Sequence, residues 1–254
     1  MRQALRAALT FTGLALAWAA VVWLAATPPY ILPGPERVAL AWLRSFDLIL
    51  GHGAVTLAEL VLGLALGAAF GSASALLLGY FPPARRWLLP ILVVSQAVPV
   101  FALAPVLVLW LGYGMASKVA MASIIIYFPV TAAFYDGLKR TDPGWLDLAS
   151  SMGASRWATL RHVRVPAALP ALASGLRVAT AVAPIGAVVG EWVGSSAGLG
   201  YLMLHANARV QIDLMFAALL TLALVAVALY FGVDAALKRL VSWQPESNLG
   251  SDKD

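Results

Sequence analysis

The sequence predicts an all-α membrane protein of about six transmembrane helices, five to seven by length. Three observations carry that expectation. Of 254 residues, 61% are hydrophobic and only 11% charged, with a mean hydropathy of +0.85; a soluble domain carries roughly 25% charged residues. The apolar residues gather in runs long enough for spans of about 20 residues each. One polar island, residues 139–170, interrupts these runs before the penultimate span. A net charge of +5 and a pI near 9.7 would suit nucleic acid, but the cytoplasmic loops of membrane proteins also collect Lys and Arg, and no nucleic-acid partner is expected. The absence of cysteine excludes a disulfide scaffold, thiolate chemistry and Cys-based metal sites. His52, His162 and His205 make no ligand spacing, so neither a metal nor a cofactor of its own is expected.

The elements follow in chain order. Arg2 and Arg6 precede an apolar run from Leu9 to Ala26. Trp18 and Trp23 inside it, and the poor cleavage site in TPPYILPGP, argue for a retained first span rather than a signal peptide. Prolines 28, 29, 33 and 35 predict a stiff connector, and residues 35–50 an amphipathic helix at the outer interface. A second span covers about 54–80 and contains Gly63, Gly67 and Gly71, a spacing that lets a neighbouring helix approach closely. Residues 81–86 form an inner turn. The third span, about 87–111, is broken by Pro90, Pro99 and Pro105 and carries Ser95 and Gln96. An outer turn at 112–118 leads to a fourth span, about 119–138. After Pro170 a fifth span runs to about Trp192, then a glycine-rich stretch, an outer amphipathic segment at 201–211 and a sixth span at about 214–233. The chain reads as one transmembrane domain over 1–254, with its core at about 54–240.

The island itself has local order. Asp142 followed by Pro143 is a helix start. Trp145, Leu148, Ala149 and Met152 recur at i, i+3, i+4 and i+7, one apolar stripe. Gly153 supplies a stop in the left-handed conformation. Ser155 caps a second short helix with Trp157, Leu160 and Val163, and Pro166 is expected to end it. With the N-terminus inside, inner segments hold 12 Lys and Arg and outer segments 4. That count fits the positive-inside rule and places both termini and the island in the cytoplasm.

These residues resemble the EAA loop of bacterial ABC-importer permeases, whose pattern is Glu-Ala-Ala, three residues, Gly, nine residues, Ile-x-Leu-Pro. Here Asp147-Leu148-Ala149, Gly153 and Val163-Arg164-Val165-Pro166 match every spacing. The departures are Asp for Glu, Leu for the first Ala, and Val at both aliphatic positions. PPYILPGPERV, PVFALAPVLVLWLGYG and GEWVGSSAGLGYLM are similar to nitrate/sulfonate/taurine-type permeases. The stretch APIGAVVGEWVGSSAGLGYLMLHANAR is most similar to permeases for hydroxymethylpyrimidine, a thiamine precursor.

The resemblance implies a type I ABC-importer permease fold in a bacterial inner membrane. It implies that Asp147, Leu148, Ala149, Gly153, Val163, Val165 and Pro166 form a coupling loop seated in an ATP-binding subunit. It further implies a pair of those ATPase subunits, a second permease copy (a homodimer) and a periplasmic binding protein as partners, besides the lipid bilayer. The chain lacks a G-x-x-x-x-G-K-[ST] loop, so ATP is expected on the partner, with no catalytic residue here.

Ionisable groups within spans are functional candidates by default. Glu191 and Trp192, in GEWVG, are candidates for the translocation path or an outer gate. Ser95, Gln96 and Pro99, at the break in the third span, are candidates for the path. Glu59 is expected at the solvated interface and without a partner, and Arg177 is expected to snorkel inward. Hydroxymethylpyrimidine or a related precursor is the first expected substrate, and a small oxyanion or sulfonate the second. An ion-coupled secondary transporter is the rival class; it would need paired carboxylates deep in the membrane.

Overall fold

The structure is a computed structural model and describes residues 2–95 and 98–243. Its helices are α1 (Arg2–Leu24), α2 (Pro35–Arg44), α3 (Phe46–Tyr80), α4 (Pro82–Ser95), a 3-10 turn (Val100–Leu103), α5 (Ala104–Leu111), α6 (Met115–Lys139), α7 (Pro143–Ser151), α8 (Arg156–Thr159), a π turn (Leu160–Arg164), α9 (Val165–Gly194), α10 (Leu199–Ala208) and α11 (Ile212–Leu240). No strand occurs among the described residues. Among the described residues, four helical stretches are long and apolar enough to cross a membrane: α3, α6, the run Arg156–Gly194, and α11. Thr12–Leu24 and Val100–Leu111 are shorter apolar helices.

The centre is α6 held between α3 and α9. A Cβ at Gly67 would lie 2.7 Å from Ile126 Cγ2 and 2.9 Å from the Ser123 carbonyl oxygen. The glycine spacing read in the sequence is therefore the surface on which α3 meets α6. On the other flank, a Cβ at Gly186 would lie 2.8 Å from Ala122 Cα. Leu60, Ala122, Ile126, Val130, Ala179 and Ala183 are buried between the three helices. Small residues dominate because helices in lipid associate through close van der Waals packing rather than through burial from water. Val38 of α2 and Ile49 of α3 pack with Leu199, Leu202, Ala217 and Leu222, which draws α2, α10 and α11 together at the end opposite the island.

Three expectations change. The amphipathic helix at 35–50 is two pieces, because Ser45 (φ −113°, ψ 24°) breaks it and α3 begins at Phe46. Of the three prolines expected to break the third span, Pro99 (φ −61°, ψ 114°) is extended between α4 and α5, whereas Pro90 lies inside α4 and Pro105 in the first turn of α5. Pro166 does not end the helix after Ser155. The π turn bonds Val165 N–H to the Leu160 carbonyl, five residues back, so Pro166 falls within the first two positions of α9, where a missing N–H costs little. Pro170 and Pro184 lie inside that same helix. Arg177 has a partner that the sequence did not show: its Nε donates to Asp234 Oδ1 of α11 at 2.6 Å.

Candidate functional site

At the island end, the Asp142 carboxylate accepts the Gly144 N–H at 2.7 Å, and Pro143 opens α7. Gly153 stands at φ +73°, and the Ala154 N–H returns to the Ala149 carbonyl at 2.9 Å, a reversal open to a residue without Cβ. Ser155 Oγ then accepts the Ala158 N–H at 3.2 Å and starts α8. Only Ala149 of the stripe turns inward. Trp145, Leu148 and Met152 are 56%, 61% and 78% exposed. With Val163, Pro166 and Trp243 they line a groove of about 430 Å³. Asp147, Arg156 and Arg161 of the same loop are exposed, and Val165 is half-buried. The loop is seated beneath the α3–α4 turn: Trp157 meets the Tyr80 ring edge-on at 5.9 Å, and Arg164 donates to the Gly79 carbonyl at 3.4 Å. The island is thus a hydrogen-bonded corner that presents large apolar side chains which this chain leaves uncovered.

At the opposite end, Glu191 is 1% exposed. Its Oε1 accepts the Thr56 hydroxyl at 2.6 Å. Its Oε2 accepts the Gly200 N–H, and the Tyr201 N–H at 3.2 Å. Thr56 Oγ1 accepts the Leu199 N–H at 2.8 Å, and His52 Nδ1 accepts the Gly198 N–H at 3.0 Å. Glu59 is equally buried and hydrogen-bonds Glu191; its Oε2 has no partner. Lys118, 2% exposed, donates to the Tyr113 and Gly114 carbonyls and interacts electrostatically with both carboxyl groups. Glu59 is therefore neither solvated nor alone, contrary to expectation.

Of the predicted path residues, Glu191 is the one placed in this cluster. Pro99 is exposed at the break between α4 and α5. Ser95 is the last residue of α4, and Gln96 lies outside the described residues. Trp192 is 49% exposed, whereas the neighbouring Glu191 faces α3 and α10. Sequence reasoning missed His52, Thr56 and Lys118. The signal was present for two of them: His52, Thr56 and Glu59 recur at i, i+4 and i+7, a polar stripe on an otherwise apolar helix.

Long apolar helices and a loop corner with an uncovered apolar face are the features of a membrane protein with a further contact surface outside its spans. The chain belongs to the family described as the binding-protein-dependent transport system inner membrane component, which matches residues 63–243. A probable ABC transporter permease of Haemophilus influenzae is 58% identical over 90% of this chain and 93% of its own length. The formylaminopyrimidine transport permease ThiX of Halalkalibacterium halodurans is 36% identical, over 85% of this chain and 87% of its own. The riboflavin transport system permease RibX of Chloroflexus aurantiacus is 37% identical, over 89% and 85%. A solved chain of the MetNI methionine ABC transporter shares the fold, with a TM-score of 0.68 at 18% identity over 78% of this chain and 98% of that one. The protein is a multi-pass inner-membrane permease subunit of an ABC importer with the type I fold, a transport subunit and not an enzyme.

Proposed function

We propose that the importer carries a planar nitrogen heterocycle, hydroxymethylpyrimidine or a related thiamine precursor, from a periplasmic binding protein into the cytoplasm. On this reading the permease core spans about 54–240, both termini are cytoplasmic, and two copies of the chain sit above two ATP-binding subunits. Residues 139–170 are the coupling loop. The observation that carries the coupling assignment is the exposed Trp145–Leu148–Met152 face beside the Gly153 corner, an apolar surface of the kind that marks a contact with a partner. ATP-driven closure of the partners would move this face and rock the helices between two access states. The pyrimidine and riboflavin named for two relatives support the heterocycle; the likeness to nitrate/sulfonate/taurine-type permeases makes a sulfonate the second reading. The buried Glu59–Glu191 pair is the feature an ion-coupled transporter would need, and membership of an ABC-permease family is what sets that class aside. The test is uptake into vesicles that hold the permease, its ATPase pair and its binding protein. Hydroxymethylpyrimidine is expected to be taken up with ATP and to compete with formylaminopyrimidine. Uptake of taurine without uptake of either pyrimidine overturns the substrate assignment.

A further inference from the structure

The amino end of α10 is held in an unusual way. A helix begins with four N–H groups that have no partner within it. Here all four, on Gly198, Leu199, Gly200 and Tyr201, are taken by side chains of other helices: His52 and Thr56 from α3, Glu191 from α9. Gly198 stands at φ +110°, and a Cβ there would lie 2.2 Å from the Glu191 carboxyl carbon; a Cβ at Gly200 would lie 2.8 Å from its Oε2. The two glycines are thus what lets a carboxyl group reach the backbone. Glu191, Thr56 and Leu199 are at most 1% exposed, so water does not compete for these bonds, and the positive end of the α10 dipole faces the carboxyl group.

We propose that Glu191, with Thr56 and His52, is a positioning residue that fixes α10 to α3 and α9, so that residues 198–208 travel with those helices as one body between the two access states. Glu191 then acts at the far mouth without touching the solute. The cap follows from the geometry alone; the shared motion rests on the importer reading above.

Hydrogen exchange of the full permease in nanodiscs tests the cap without ATP or partners. Glu191→Ala is expected to speed exchange of the Leu199, Gly200 and Tyr201 amides about tenfold, the size of a lost cap. Thr56→Val should do so mainly at Leu199, and Thr56→Ser should restore protection. Glu191→Leu, of similar size but without an acceptor oxygen, carries the test where the alanine variant does not fold. Unchanged exchange in the Glu191 and Thr56→Val variants overturns the cap. For the motion, spin labels on Leu57 and Leu204, both exposed, are measured in the assembled complex. An interlabel distance that stays the same between nucleotide-free and nucleotide-trapped states is expected. A distance that changes overturns the shared motion and leaves the importer reading intact.

Discussion

At Gly67 the absence of a side chain sets how close two membrane helices come. The nearest obstacles to an added Cβ are Ile126, which is fully buried, and the backbone oxygen of Ser123; neither is the free end of a flexible chain. Gly67→Val must therefore push α3 away from α6. Overpacking of this kind costs about 1–3 kcal/mol, and a lower melting temperature in detergent is expected. Gly51→Val on the same helix is the control, since nothing lies within 4 Å of that position. Equal melting of the two variants would show that α3 and α6 do not pack through this face. Glu59 makes a contrasting point at the same scale. Its burial was invisible in the sequence because it depends on Glu191, 132 positions away, folding back against α3.

Among elements, the corner between α7 and α8 was the most legible feature of the chain. Its signals are local: an Asp-Pro start, a stripe at helical spacing, and a glycine where φ must be positive. Gly153→Val is expected to distort this corner, since a β-branched residue at φ +73° is a steric outlier. Membrane insertion and the melting temperature of the permease should stay near those of the unmodified protein, while co-purification with the ATP-binding subunit and uptake are lost. Retained co-purification would remove the loop's coupling role. Pro166 was misread because proline stops one helix and opens another with equal ease. The π turn at Leu160–Arg164 decides between them, and no residue pattern in LRHVR announces it. The cap on α10 was half legible. The stripe of His52, Thr56 and Glu59 can be read from spacing, but Thr56 and Glu191 are 135 positions apart, and only the packing of α3 against α9 makes them partners.

For the whole molecule, the distribution of Lys and Arg gives a direction to the bundle. The chain contains no cysteine, so single introduced cysteines report their side without background. Met152→Cys, exposed just past the end of α7, is expected, in the permease expressed without its ATP-binding subunits, to react with an impermeant maleimide only after the membrane is opened. Tyr113→Cys, exposed at the other end, should react in intact cells. The reverse pattern would invert the orientation and with it the coupling assignment.

The helical run from Arg156 to Gly194 passes the π turn, Pro170 and Pro184 without a break and contains 39 residues. At 1.5 Å per residue it is a lever arm of about 58 Å. Pivoted at its island end, a tilt of about 5° swings the other tip sideways by about 5 Å, close to the rise of one helical turn. Glu191 sits one turn from that tip and grips α10. On the coupling reading proposed above, a small angular stroke delivered beneath the membrane would be converted, within one continuous helix, into a displacement of the far mouth comparable with the size of a small ring.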